Sequence, residues 1–178
     1  MKNYILILLA TIVPYVASAQ SKIAHVNTQE VLAAMPSYRS AIQKLEEYRG
    51  EVEKEIELMI ADYQKVEKGL IQNQEIWTPV RIQIEQEKLA KKAQAIEERQ
   101  QSAQLELEAY SNELNQPILE TVEKSVQLVS ARHEYVYVFD ITTLMIANGP
   151  NITEEVIKEV LILENQKNPP PPEVVSGE

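Results

Sequence analysis

The chain has 178 residues, and its 17 Lys and Arg against 27 Asp and Glu give a net charge of −10. Nucleic-acid affinity comes largely from Lys and Arg on phosphates, so this acidic balance argues against a nucleic-acid partner. The chain has no cysteine, which excludes disulfides and thiol chemistry.

The first 19 residues predict a cleavable export signal. Lys2 supplies a positive charge, residues 4–13 are apolar, and small residues precede a cleavage site after Ala19. The apolar stretch is shorter than the roughly 20 residues of a membrane-spanning helix, and Pro14 interrupts it. We therefore expect an exported, soluble chain without stable membrane insertion. Removal of Lys2 leaves 16 basic and 27 acidic residues, a net charge of −11.

Residues 20–35 predict a short strand and then a short helix. The strand covers residues 22–26, and Asn27 with Glu30 forms a capping box at the start of the helix. Pro36 ends this helix.

Residues 36–129 predict a long antiparallel helical hairpin. Two series of mostly apolar residues repeat with alternating steps of four and three, which is the spacing of a coiled-coil seam. The two series mirror each other about Ile76, and each arm of about 40 residues would extend roughly 60 Å. Two amphipathic helices of a compact bundle are the alternative, which the length of the series disfavours. The first series is Tyr38, Ile42, Leu45, Arg49, Val52, Ile56, Met59, Tyr63, Val66 and Leu70, and the second is Ile82, Gln86, Leu89, Ala93, Ile96, Gln100, Ala103, Leu107, Tyr110 and Leu114.

The tip of the hairpin is predicted near residues 70–80. Thr78 and Pro79 indicate a helix start, with an N-cap followed by proline at the first helical position. The tip is unusually apolar for a loop, so it either closes the end of the coiled coil or binds another molecule. The candidate tip contacts are Leu70, Ile71, Ile76, Trp77 and Val80.

Pro117 interrupts the second helix, and the apolar series then resumes one position later. A proline inside a helix removes a backbone hydrogen bond. We therefore treat Pro117 as a candidate pivot where the helix leaves the arm, with a fixed bend as the alternative.

Residues 130–167 predict further strands and a final helix. Residues 135–140 are β-branched and aromatic, residues 143–147 form a second strand-like run, and Thr153 caps a helix with an acidic first turn. Residues 168–178, with four successive prolines, predict a disordered tail. Three strands leave unpaired edges. The candidate oligomerisation strands contain Ile23, His25, Val26, Tyr135, Val136, Tyr137, Val138 and Phe139.

These elements together predict an α+β protein. Its small body, residues 20–35 and 130–167, would oligomerise into a barrel-like β-core, and each protomer would carry one hairpin arm. The sequence contains no phosphate-binding loop and no HExxH motif, and His25 and His133 are far apart in sequence. We therefore expect no catalysis, no cofactor and no metal.

The order of these elements resembles the Skp/OmpH family of periplasmic chaperones. The resemblance implies a homotrimer, with three arms around a cavity below a shared β-body. It also implies an ATP-independent holdase that shields unfolded outer-membrane proteins as they cross the periplasm. The well-known members are basic, whereas this chain is acidic. A helical-hairpin adaptor or spacer of the cell envelope is the alternative function.

Overall fold

The computed structural model describes residues 22–167, so the predicted export signal and the predicted tail lie outside the described residues. The fold is mostly helical with a long helical hairpin, as predicted, and the described residues contain one strand pair where three strands were expected. The elements in chain order are β1 (Ile23–Val26), α1 (Thr28–Ala34), α2 (Pro36–Asn73), α3 (Pro79–His133), β2 (Tyr137–Asp140), a 3-10 turn (Ile141–Thr143) and α4 (Thr153–Lys167).

The chain divides into two compact units. We call residues 36–119 the arm; the body comprises residues 22–35 and 120–167 within the described range. The body therefore includes more of α3 than the predicted start at residue 130. The reason is burial, because Thr121, Val122, Ser125 and Val129 are all buried.

The strands of the body are parallel. Ile23 lies opposite Tyr137, and Val26 lies opposite Asp140. On the other side of β1, the His25 amide donates to the Pro150 carbonyl at 2.9 Å, and the His25 carbonyl accepts from the Ile152 amide at 3.0 Å. Within residues 22–167, β1 thus has neighbours on both sides, whereas β2 pairs only with β1.

The predicted strand over residues 143–147 is wrong. The Asp140 carboxylate accepts a hydrogen bond from the Thr142 amide at 2.8 Å. The Thr143 hydroxyl donates to the Asp140 carbonyl at 2.7 Å. These local bonds turn the chain into a 3-10 turn. β2 also begins later than predicted, since Tyr135 and Val136 precede it.

The core of the body consists of side chains from β1, α1, α3 and α4 and from the segment just before α4. α1 packs against α4, and α4 also contacts β1. Hydrogen bonds and ion pairs join α3 and α4 at their edges, including Lys167 to the Thr121 hydroxyl and Arg132 to Glu159. The apolar side chains with less than 2 % exposure are Val31, Met35, Val129, Val156 and Val160, and Ile152 is 2 % exposed.

Polar caps connect the strands of the body to the starts of its helices. The Asn27 side chain accepts from the Glu30 amide at 3.3 Å, which confirms the predicted cap of α1. In the predicted capping box, the backbone amide of Asn27 would donate to the Glu30 side chain. It donates to the Thr153 hydroxyl at 2.9 Å instead, and this bond connects the start of α1 to the start of α4. The Thr28 amide donates to the Asp140 carboxylate at 3.3 Å. The Asp140 carboxylate at the end of β2 therefore accepts hydrogen bonds from the starts of α1 and of the 3-10 turn.

Candidate functional site

The tip of the arm presents aliphatic side chains to solvent. α2 ends at Asn73 and α3 begins at Pro79, and the Asn73 carbonyl accepts from the Ile76 and Trp77 amides at 3.0 and 2.9 Å. Thr78 caps α3 as predicted, because its hydroxyl accepts from the Arg81 amide at 3.4 Å. The helix ends thus hold the tip loop in a defined conformation.

The five predicted tip residues differ in exposure. Ile71, Ile76 and Val80 are 67 %, 78 % and 67 % exposed. Leu70 and Trp77 are half-buried, and the Arg81 guanidinium lies 4.7 Å from the centre of the Trp77 ring. Leu70 and Trp77 thus have the burial expected of residues that close the coiled coil. Ile71, Ile76 and Val80, by contrast, form an apolar surface that is open to solvent, and we call these three the tip surface.

The seam of α2 follows the predicted series only in part. From Val52 to Leu70 the predicted residues are buried or half-buried. Nearer the start of the helix the prediction is wrong, because Ile42 and Arg49 are exposed and their neighbours Ala41 and Tyr48 take the seam positions. The predicted strict heptad is therefore replaced by steps of four and four at positions 48, 52 and 56, which is a stutter in the coiled coil.

The seam of α3 differs from the prediction in the same way. Three predicted seam residues are exposed, and the charged residue preceding each of them is half-buried instead. The side chain of Arg99 is only 19 % exposed. The exposed residues are Gln86, Ala93 and Gln100, and the half-buried residues are Glu85, Lys92 and Arg99.

Polar contacts between α2 and α3 explain why Lys92 and Arg99 occupy the seam, whereas Glu85 pairs with Lys88 within α3. The Tyr48 hydroxyl donates to Glu106 at 2.9 Å, Arg99 pairs with Glu55 at 2.8 Å, and Lys92 pairs with Asp62. Arg99 also pairs with Glu106 at 3.0 Å. We call these six residues the polar ladder. Its members repeat every seven residues on each helix, at 48, 55 and 62 and at 92, 99 and 106, so the contacts share one antiparallel register.

The polar ladder favours the charged form of three of its members, Asp62, Arg99 and Glu106. Hydrogen bonds from Tyr48 and then Arg99 hold the pKa of Glu106 below its usual value. The Lys92 ammonium lowers the pKa of Asp62 in the same way. Arg99 has a raised pKa, mainly because of its hydrogen bond to Glu55. Each group thus keeps its charge more firmly in the folded arm.

The sequence reasoning missed the polar ladder because it scored apolar residues alone. A signal was present, however. Acidic or tyrosyl residues at 48, 55 and 62 mirror Glu106, Arg99 and Lys92 about a single point, with opposite charges in two of the three pairs. A search for mirrored charges as well as mirrored apolar residues would have found it.

The candidate oligomerisation residues lie at and beside the strand pair. His25 and Val26 on β1 are buried in the body, whereas Ile23 is 49 % exposed. On β2, Tyr137 and Phe139 are also exposed and stack with ring centres 6.4 Å apart. Val136 is exposed just before β2, and Tyr135 and Val138 are half-buried. The strand pair therefore presents an apolar face that the described chain leaves open.

Pro117 lies inside α3 and is exposed, two positions before the end of the arm.

Within the described part of the chain, no three His, Asp or Glu side chains come together in a way that could hold a metal ion. None of the helices in residues 22–167 is long and apolar enough to cross a membrane.

Comparison with known proteins identifies the family. Residues 22–160 match the family described as Outer membrane protein (OmpH-like). Chaperone protein Skp from Vibrio cholerae serotype O1 (strain ATCC 39315 / El Tor Inaba N16961) is 29 % identical over 164 residues, which cover 88 % of this chain and 93 % of that protein. A crystal structure from Caulobacter crescentus CB15, described as an OmpH-like outer membrane chaperone, has a TM-score of 0.71 at 16 % identity and covers 81 % of this chain and 86 % of that chain. The fold, with its long helical hairpin and its strand pair, is thus shared with that structure, and the chain belongs to the Skp/OmpH family.

Proposed function

We propose that this chain is an ATP-independent holdase chaperone of the periplasm. It binds unfolded outer-membrane proteins between helical arms and prevents their aggregation before membrane insertion. The export signal is cleaved after Ala19, and three copies assemble through their bodies into a homotrimer with a barrel-like core. The chaperone function of the similar Vibrio cholerae protein supports this proposal.

The exposed apolar side chains of the arm are the observation that carries the proposal. Besides the tip surface, Leu58 and Leu105 are 65 % and 69 % exposed along the helices. These side chains are dispersed rather than gathered into one pocket, so they offer many weak contacts instead of one specific site. A binder that prefers unfolded chains shifts the folding equilibrium by mass action and requires no chemistry.

Aggregation of a client tests the holdase function. A urea-unfolded outer-membrane barrel protein is diluted into buffer with or without this protein, and light scattering is followed. We expect suppression of scattering at near-stoichiometric ratio, unchanged by added ATP. Scattering equal to that of the client alone would contradict the proposal.

Assembly is tested with a matched pair of variants at exposed apolar positions. Phe139→Asp places a charge on the open face of the strand pair, whereas Leu58→Asp places one on the arm. Neither residue is buried in the single chain. We expect sedimentation analysis to show monomers for Phe139→Asp and trimers for Leu58→Asp. Trimers for both variants would show that the strand pair is not the interface.

The second candidate function is a structural adaptor or spacer of the envelope, and the tip surface favours it. A spacer would bind one folded partner through Ile71, Ile76 and Val80. Replacing these three residues with serine should then abolish its binding but leave aggregation suppression intact. A holdase that uses the tip surface would instead lose part of its suppression.

A further inference from the structure

Helix α3 carries two alternative seams, and the structure uses one of them. Both seams share Ile82, Leu89, Ile96 and Ala103. The seam in use adds Glu85, Lys92 and Arg99, and the unused seam adds the next residue in each case. Neighbouring residues differ by about 100° around a helix, so a rotation of α3 by about 50° exchanges one seam for the other.

The two seams differ in charge. The seam in use places three charged side chains at the contact with α2, and the Glu85 side chain is only 12 % exposed. The unused seam would place Gln86, Ala93 and Gln100 there, which are uncharged. Half-burial of charges has a desolvation cost that only well-placed partners offset. In the facing segment of α2, from Ile56 to Leu70, the half-buried residues include every residue of the predicted series, so this segment keeps a single seam.

The polar ladder supplies such partners for Lys92 and Arg99, whereas Glu85 pairs with Lys88 on α3 itself at 3.0 Å. Glu55 and Glu106 both contact Arg99, and Asp62 contacts Lys92. These bonds form only in the observed rotation, because Glu55 and Asp62 lie on the flank of α2 that faces Arg99 and Lys92. Without the two cations, the observed rotation keeps only the Tyr48–Glu106 bond of the polar ladder between the helices, whereas the uncharged seam loses no bond.

We propose that the polar ladder is a rotational latch on α3. While the latch is closed, α3 buries its charged seam and presents Gln86, Ala93 and Gln100 to solvent. Opening the latch turns α3 to its uncharged seam and presents Glu85, Lys92 and Arg99 instead. Because exposed ion pairs are screened by salt, high ionic strength opens the latch. The arm thereby changes the charge of one flank without unfolding.

Cysteine labelling tests the latch, and the chain has no native cysteine to interfere. Ala93→Cys is the reporter, since Ala93 is exposed in the observed rotation and enters the seam after rotation. Gln94→Cys is the matched control, since position 94 stays on the outer surface in both. The rate of maleimide labelling is measured in the native latch and in Lys92→Gln/Arg99→Gln.

We expect labelling of Ala93→Cys to slow by about tenfold when the latch is removed, because reaction then requires local opening, while Gln94→Cys is unchanged. The same slowing is expected for the native latch at high salt. An unchanged Ala93→Cys rate in a folded variant would overturn the latch. Loss of helicity by circular dichroism would overturn it too, because the proposal requires the uncharged seam to support the arm. The test uses no client and no assembly, so its outcome is independent of the proposed holdase function.

Discussion

The body and the arm are stabilised in different ways. The body holds side chains such as Met35, Val31 and Val156 with no solvent exposure. In the described part of the arm, the best-buried residues are Val52 and Ala103 on its seam and Ile118 at its end, each 4 % exposed. Most other seam residues are half-exposed, and a charged residue, Arg99, is among them.

This difference in burial determines how strongly a substitution destabilises each unit. In the body, stability depends on a few closely packed residues, so replacing one of them with a smaller residue leaves a cavity. In the arm, many half-buried residues each contribute a little, and the polar ladder joins α2 to α3 in one register. The arm can therefore present varied exposed side chains without losing its fold, as the proposed holdase function requires.

A matched pair of methionines gives the largest expected contrast. Met35 is fully buried in the body, and Met59 is half-buried on the seam of α2. Met35→Ala should lower the free energy of unfolding by about 2–5 kcal/mol because it creates a cavity. Met59→Ala should cost about 1 kcal/mol, in proportion to its smaller buried area. Urea denaturation followed by circular dichroism measures both, and equal losses would remove the distinction between the two units.

Pro117→Ala tests whether the end of the arm is strained. The residue is exposed and inside α3. Alanine restores the backbone donor, so stability should rise by up to about 3 kcal/mol if the helix can straighten there. If Pro117 is a pivot, the arms of the proposed trimer vary in separation. Distances between spin labels at Asn73 should then be more narrowly distributed in the variant than in the native protein. A well-folded variant with neither change would leave a fixed bend.

The hairpin could be predicted from the sequence because long periodicity determines it. Thr78 and Pro79 located the start of the returning helix, and that prediction is confirmed. The rotation of the helices could not be predicted in the same way. Ala93 is the better seam residue by hydrophobicity, but Lys92 has a partner in Asp62. Long-range pairing decided between two adjacent residues, and a hydrophobic pattern contains no information about such pairs.

The strands also could not be predicted from the hydrophobic pattern alone. Residues 143–147 have the composition of a strand, yet the Asp140 side chain turns the chain just before them. Local hydrogen bonding of Asp and Thr to the backbone competes with strand pairing. The neighbour of β1 at Asn151 is a single bridge residue, and no run of β-branched residues marks it. The open apolar face of β2, with Tyr137 and Phe139 exposed, was predictable from composition.

Asp140→Asn should give a smaller, pH-dependent loss in the body. Hydrogen bonds from Thr142 and then Thr28 lower the pKa of Asp140 from 3.8 to about 2. A lowered pKa stabilises the fold above pH 3.8, and this contribution disappears as pH falls toward about 2. Asparagine keeps an acceptor but not the charge, so we expect a loss of about 0.5–2 kcal/mol at neutral pH, typical of a lost cap.

The loss in Asp140→Asn should shrink as the pH is lowered through the same interval, because the carboxylate of the unfolded chain is protonated first and that of the folded chain follows only near pH 2. Urea midpoints of both proteins at neutral pH and near pH 2.5 measure this. A gap that stays constant with pH would mean that the charge of Asp140 contributes nothing.

The smallest expected effect is at the end of α3. Glu134 has a positive φ of 59°, and the Tyr135 amide donates to the Ser130 carbonyl at 2.9 Å, which is the geometry of a helix C-cap that favours glycine. The Glu134 side chain opposes the change to glycine, because its carboxylate pairs with Lys22 at 2.9 Å, and the ion pair lowers its pKa. Both side chains of that pair are more than half exposed, so the backbone effect should prevail. Glu134→Gly should raise the Tm by about 1–4 °C.

Lys22→Ala is the control for the ion pair, and it should shift the Tm by less than Glu134→Gly and in the opposite direction. A lower Tm for Glu134→Gly, with an equal drop for Lys22→Ala, would show that the Lys22 pair outweighs the backbone strain at the end of this helix.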